Sequence, residues 1–147
     1  MAKSAKYLRD GRAPIPKQEF TSRLMSQVGA KNTKPEILFR KELRAQGLKE
    51  YRLHPKTLPG RPDIYFPSKK LAIFINGCFW HRCPYCKLSM PKTHKAFWSK
   101  KFAANVARDK AKRTLLKKKG IRSVVFWECQ IKKNVQKLVA KLKTTAF

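Results

Sequence analysis

The sequence predicts an α/β fold in which a central mixed β-sheet is flanked by helices, and three observations carry that prediction. Leu71-Ala72-Ile73-Phe74-Ile75 is a continuous apolar run, the pattern of a strand covered on both faces. Ile121 to Trp127 is a second run, β-branched and aromatic, and Ile64-Tyr65-Phe66 is a shorter one. Around these lie stretches of helical period, so that helix, strands, helix, strand and helix alternate along the chain. With 147 residues, 42% of them hydrophobic, one domain can bury a core without disulfides.

The elements follow in order. Residues 1 to about 23 carry Lys3, Lys6, Arg9, Arg12, Lys17 and Arg23 with Pro14 and Pro16 and no helical period. Residues 1–20 read as a basic arm that orders against phosphates or merely solubilises, and residues 21–147 as the folded domain. Thr33 and Glu36 have capping-box spacing around Pro35, which opens a helix running to about Gln46 and stopped by Gly47. Tyr51 to His54 alternates weakly. Pro55, Pro59, Gly60 and Pro62 then form a rigid loop that delivers Asp63 to the head of the Ile64–Phe66 strand. Lys100 to Lys119 reads as a long basic helix ended by Gly120, Glu128-Cys129 as the end of the last strand, and Asn134 to Leu142 as a closing amphipathic helix.

Charge bounds the partners more than the fold. Thirty-six Lys and Arg against 8 Asp and Glu leave a net charge of +28, which draws the chain to polyanions. Each neutralised phosphate releases counterions, so affinity for duplex DNA should fall by about 0.9 log units per contact per log unit of salt. A ribosomal or membrane-surface protein shares this composition. No apolar run of about 18 residues spans a membrane and no signal-peptide core is present. The expectation is a cytoplasmic, nucleoid-associated protein that acts as a monomer, since no stretch resembles a coiled coil or an apolar dimer face.

Cys78, Cys83 and Cys86 are spaced C-x4-C-x2-C, and Cys129 follows 43 residues after Cys86. Four thiolates suit a closed tetrahedral zinc site, with reduced buried cysteines or a redox pair as the alternatives; a redox pair leaves Cys78 and Cys129 without a role. His81 is then free for other chemistry. It follows two aromatics in a loop, and an imidazole is the side chain suited to take a proton from water near neutral pH. Asp63, at a strand head beside the backbone carbonyls near Ile75, can offer a hard Mg²⁺ ion its protein ligands or simply cap a turn. Glu36 either closes the capping box or, sharing a helix face with Phe39 and Leu43, points to the sheet end. In the long helix Phe102, Val106 and Leu116 form a stripe that includes Asn105, Asp109 and Arg113. Asp109 there either holds the tautomer of His81 or pairs with Arg113 or a lysine. His54 and His94 lack comparable neighbours in the sequence and read as surface or phosphate-contacting residues. Phe79-Trp80 belongs to the core or wedges between base pairs.

These residues resemble a known family. Leu58-Pro59-Gly60-Arg61-Pro62-Asp63, then Ile73-Phe74-Ile75-Asn76-Gly77-Cys78-Phe79-Trp80-His81, is similar to the very-short-patch-repair (Vsr-type) mismatch endonucleases. Thr21-Ser22-Arg23 with Met25-Ser26, Asn32 to Glu36, Phe97-Trp98, Asn105 with Arg108-Asp109, and Trp127-Glu128-Cys129 extend the resemblance over residues 20 to 130. It implies a restriction-endonuclease-like fold and Mg²⁺-dependent nicking of double-stranded DNA, 5′ to the thymine of a T·G mismatch left by deamination of 5-methylcytosine. It implies Asp63 and the Ile75 carbonyl as Mg²⁺ ligands, His81 as general base supported by Asp109, and Glu36 acting through metal-bound water. Met25, Phe79 and Trp80 would enter the base stack, the arm would clasp the duplex, and Cys78, Cys83, Cys86 and Cys129 would hold structural Zn²⁺. A functional link to a DNA cytosine methyltransferase and to mismatch-repair proteins comes with it.

The chain departs from the pattern at Asn76, where some members carry a histidine near the scissile phosphate; an amide can contact that phosphate but brings no charge. The zinc segment is all cysteine, where others use a histidine. The sheet lacks the Glu-x-Lys of restriction enzymes, which leaves the lysine's role to His81. Two other readings stand beside this one: a homing or restriction-type nickase on the same fold, and a non-catalytic zinc-containing DNA- or RNA-binding protein.

Overall fold

Pro35 stands in the first turn of α1 (Lys34–Ala45), where a missing amide hydrogen costs nothing, and Gly47 follows the helix at φ +84°. The computed structural model describes residues 32–147; the basic arm and Met25 lie outside them. Four strands, β1 (Arg52–Leu53), β2 (Ile64–Phe66), β3 (Leu71–Asn76) and β4 (Arg122–Trp127), form one sheet in the order β1-β2-β3-β4. The first three are antiparallel neighbours, whereas β3 and β4 run parallel, so the sheet is mixed. A parallel pair requires a crossover, and here it consists of the short α2 (Cys78–His81) and the long α3 (Lys95–Lys118). Helix α4 (Glu128–Ala146) closes the chain.

The unbroken apolar run of β3 is explained by its two covered faces. Leu71, Ile73 and Ile75 pack with Phe39 and Leu43 of α1 and with Ile131, Val135, Val139 and Leu142 of α4. Ala72 and Phe74 belong to the opposite cluster, with Leu116 of α3 and Ile121. Phe39 meets Phe126 across the first layer with ring centroids 4.9 Å apart. The predicted α/β sandwich is thus present, with helices on both faces of the sheet.

Three element boundaries differ from the sequence expectation. Helix α3 begins at Lys95, not Lys100, because Trp98 and Phe102 lie one turn apart on its buried side. Its inward stripe is Trp98, Phe102, Asn105, Asp109, Lys112 and Leu116, at alternating steps of four and three, and each is buried or half-buried. Val106, predicted on this stripe, is 49% exposed, and Arg113 is exposed as well, because the stripe passes one residue to their side. Glu128 and Cys129 open α4 rather than ending β4; the amide of Trp127 donates to Gln130 Oε1 at 3.1 Å, which holds that junction. The predicted start at Asn134 marks a real break, where backbone leaves helical geometry and Asn134 Oδ1 accepts from the Lys137 amide at 3.0 Å.

Candidate active site

Asp63 enters the site from the Pro-rich loop. Gly60 adopts φ +77°, and a Cβ there would lie 2.8 Å from the Lys112 side chain, so the loop needs glycine both for its backbone and for its approach to α3. Asp63 Oδ2 accepts from the Ile75 amide at 2.6 Å. This differs from the sequence expectation, in which only the Ile75 carbonyl met the site. The sheet register also bears on the Ile75 carbonyl. Carrying the Ile64↔Ile73 pairing on by two residues sets Pro62 opposite Ile75, and proline has no amide hydrogen to offer it.

A second acid and a histidine crowd Asp63. Glu36 is buried, and its carboxylate accepts from the Asn32 amide at 3.0 Å and from Thr33 Oγ1 at 3.3 Å. The capping box does not close: the Thr33 hydroxyl turns to Glu36 instead of to a helix amide, and Glu36 takes the inward position. His54 stands between the acids, with Nε2 3.6 Å from Glu36 Oε2 and Nδ1 3.9 Å from Asp63 Oδ1. The sequence reading as a surface residue is corrected here: β1 and β2 pair, the His54 amide donates to the Asp63 carbonyl at 3.3 Å, and this folds the imidazole inward. Glu36, His54 and Asp63 each offer a ligand atom within 4.8 Å of the others.

Burial pushes the Asp63 carboxyl up to about 7 from an ordinary 3.8; the Ile75 amide opposes the shift, Glu36 adds to it, and Lys112 and Arg40 oppose it. A carboxyl that resists ionising is one that a cation would relieve. A raised acid pKa has a definite sign in stability. Below about pH 3.8 the group is protonated in both folded and unfolded chains and contributes nothing. Between 3.8 and about 7 the unfolded chain ionises first, so stability falls as pH rises, and above 7 the loss is complete. Without divalent cations, Asp63→Asn should therefore be more stable than wild type at pH 8, by about 2–4 kcal/mol. Urea melts of the two proteins at pH 8 and pH 4 check this; a gap that persists at pH 4 would assign it to something other than Asp63 ionisation.

The other half of the site comes from α2 and α3. Strand β3 ends at Asn76, which is buried, and α2 starts two residues later, so His81 sits one turn beyond the sheet end that carries Asp63. His81 Nδ1 lies 2.5 Å from Asp109 Oδ2. With Nδ1–H donated to the carboxylate, Nε2 is the basic nitrogen. Asn105 donates to the Trp80 carbonyl at 3.0 Å and in turn accepts from Arg108. The polar middle of the α3 stripe thus serves the site at each step: Asn105 on α2, Asp109 on His81, Lys112 on the Asp63 loop.

The four cysteines converge. Their sulfurs all lie within 4.8 Å of one another, with Cys83 and Cys129 3.7 Å apart. Four ligands about 2.3 Å from a tetrahedral ion are themselves about 3.8 Å apart, so the cluster can hold a metal. No disulfide links them. Backbone amides point at two of the sulfurs, Cys129 N–H at Cys78 and Tyr85 N–H at Cys83, both at 3.4 Å. The Cys129 amide lies at the start of α4, where helix donors lack helical acceptors and favour a thiolate. Burial raises the Cys78 thiol and the neighbouring Cys129 and Cys78 push Cys86 up, whereas at Cys83 burial is outweighed by the Cys86 and Tyr85 amides and the neighbouring sulfurs, which hold that thiol below its ordinary range.

Phe79 and Trp80 are half-buried; Phe79 rests edge-on against Trp80 and Trp98, and Trp80 lies tilted by 50° against Trp98, at centroid distances of 5.1–5.7 Å. Arg82 caps Phe102 of the same cluster at 4.3 Å. A cavity of about 1030 Å³ lies elsewhere, along β4 between α3 and α4, and none of its lining residues belongs to this site.

Comparison with known proteins gives the geometry a context. Residues 15–87 match the profile described as DNA mismatch endonuclease Vsr. The type II nicking enzyme V.XorIIP of Xanthomonas oryzae pv. oryzae is 46% identical over 74% of this chain and 79% of its own length. V.NmeAIP, a type II nicking enzyme of Neisseria meningitidis, is 40% identical over 74% of this chain and 77% of its own length. The DNA mismatch endonuclease Vsr of Escherichia coli is 33% identical over 76% and 70%.

Proposed function

The chain belongs to the Vsr family of DNA mismatch endonucleases, and from that premise we propose that it nicks one strand of duplex DNA at T·G mismatches left by deamination of 5-methylcytosine. The observation that carries the reading is the hydrogen-bonded His81–Asp109 pair one helical turn past the sheet end at which Asp63 is held by Ile75. A zinc-braced binding protein has no use for that pair.

Asp63 and the Ile75 carbonyl would hold Mg²⁺, and the raised Asp63 carboxyl and the ladder break at Pro62 fit a hard cation there. Bound Mg²⁺ would offset negative charge on the phosphate being attacked. The chain's own groups supply the rest. His81 Nε2 accepts a proton from the attacking water, and Asp109 stabilises the resulting imidazolium. Glu36 adds a second carboxylate beside Asp63, and Asn76 offers an amide to the scissile phosphate. Phe79 and Trp80, with Met25, enter the base stack next to the mismatch; the aromatic cluster behind them keeps the pair upright. Cys78, Cys83, Cys86 and Cys129 would hold structural Zn²⁺. We place the enzyme on DNA as a monomer, working after a cytosine methyltransferase. No described helix is long and apolar enough to cross a membrane.

Several relatives are named type II nicking enzymes, which favours a second reading, a nickase governed by flanking sequence more than by the mismatch. Nicking of T·G and matched T·A duplexes with varied flanks, assayed side by side with Mg²⁺, separates the two: equal rates on both duplexes exclude the mismatch reading. Asp109→Asn tests the base. It should leave duplex affinity within about threefold and lower the nicking rate by about 10²–10⁴, because an amide presents the wrong partner to Nδ1. Single-turnover rates across pH check it, and an unchanged profile would remove His81 from the proton transfer.

A further inference from the structure

His54 is the residue of the acidic cluster that the proposed mechanism does not use, and its surroundings are those of a ligand. Its amide is bound to the Asp63 carbonyl at 3.3 Å, its backbone is at φ +45°, and its ring lies between two carboxylates. Positive φ is uncommon for a residue with a side chain, and here it turns the imidazole towards the acids.

We propose that His54 Nδ1 is a direct ligand, beside Asp63 Oδ1, for a first-row transition cation, while Nε2–H is directed to Glu36. The inference rests on Asp63 as the metal-binding acid of the proposed nuclease. Nδ1 and Oδ1 are 3.9 Å apart, less than the roughly 4.2 Å that two bonds of about 2.1 Å can span. Glu36 Oε2, 3.6 Å from Nε2, lies just beyond hydrogen-bond distance and is placed to close on the ring once Nδ1 takes a metal, as carboxylates do behind metal-bound histidines. Glu36 is itself held by Asn32 and Thr33. Carboxylates alone suit Mg²⁺ and Mn²⁺ alike, whereas an imidazole nitrogen favours the transition ion. The site therefore discriminates between cations by means of His54, and the enzyme should be able to run on Mn²⁺ at concentrations well below those of Mg²⁺ that it needs.

The test uses the full, zinc-loaded chain with Mn²⁺ as probe, because a hard ion does not compete for four thiolates. Pulsed EPR of bound Mn²⁺ should show modulation from a directly coordinated ¹⁴N in wild type and in His81→Gln, and none in His54→Gln. Mn²⁺ affinity should fall about tenfold or more in His54→Gln, with Mg²⁺ affinity changing less. Bound Mn²⁺ without ¹⁴N coupling in wild type overturns the proposal, and that measurement needs no variant to fold. Equal losses of Mn²⁺ and Mg²⁺ affinity in His54→Gln also overturn it, by reducing His54 to a structural contact. Nicking of T·G duplexes is scored separately: nicking without ¹⁴N coupling rejects only the His54 ligand, whereas ¹⁴N-coupled Mn²⁺ without nicking of any duplex rejects only the nuclease reading.

Discussion

Asp63→Asn is expected to lower nicking of a T·G duplex by about a thousandfold or more, equivalent to about 4 kcal/mol of transition-state stabilisation, while duplex binding stays within about threefold. The separation follows from where the residue sits. Asp63 is one half-buried carboxylate at the head of β2 in a chain of net charge +28, so it contributes little to long-range attraction of phosphate. On the proposed mechanism, its removal takes away the acid that would hold the catalytic cation. Asparagine nearly preserves shape and can still accept from the Ile75 amide, so the β2–β3 junction should persist. Nicking rates under single-turnover conditions, with binding followed by anisotropy at fixed salt, decide the matter. Near-normal nicking by the variant would move the metal site elsewhere. Reading this result together with the pH 8 stability of the same variant is informative, because burial that makes Asp63 useful to a cation also makes it costly without one. One substitution should thus raise stability and abolish activity.

The second large effect is on folding. Cys129→Ser should release the metal, lower the melting temperature by about 10–20 °C, and do so in step with zinc content. A structural zinc is worth several kcal/mol against a net stability of about 5–15 kcal/mol, and each kcal/mol moves the midpoint by about 2–8 °C. The mechanism is a tether. Cys78 and Cys83 flank α2, Cys86 follows, and Cys129 lies in the first turn of α4, so one ion would tie the His81 segment to the far end of β4. Nicking should fall with zinc loss because Asp109 can orient His81 only while α2 stays docked on α3. Calorimetry with zinc quantified at each step of a chelator series provides the check. A zinc-free protein that melts where the loaded one does would sink the tether.

The strands were legible because their causes are local. A continuous apolar run of five residues identified β3, a β-branched and aromatic stretch identified β4, and Pro62-Asp63 announced the head of β2. The cysteine spacing announced a cluster able to hold a metal for the same reason, since a C-x2-C knuckle brings its own ligands close. Asp63, Glu36, His81 and Asp109 were all candidates from their positions in loops and along helix faces. What was not legible was the angular phase of α3, and the cause is specific. Its inward stripe carries Asn105, Asp109 and Lys112 between apolar ends, so a search for apolar period drifts to Val106, which is exposed. Lys112 was missed with it, although its contact with Gly60 helps to fit the Asp63 loop to the helix.

His54 marks the boundary between the two kinds of information. Nothing in Tyr51-Arg52-Leu53-His54 distinguishes this histidine from a surface one, because its neighbours in space, Glu36 and Asp63, lie 18 residues before it and 9 after it. The sequence by itself determined the α/β class, the paired faces of the central strand, the polyanion-seeking charge and the identity of the thiolate and carboxylate chemistry, since each depends on composition or short-range period. Only the tertiary structure decided which of those groups meet. It set His81 on Asp109, Cys129 against Cys78, and His54 between two acids, because antiparallel pairing of β1 with β2 and the docking of α3 select contacts that local sequence leaves open.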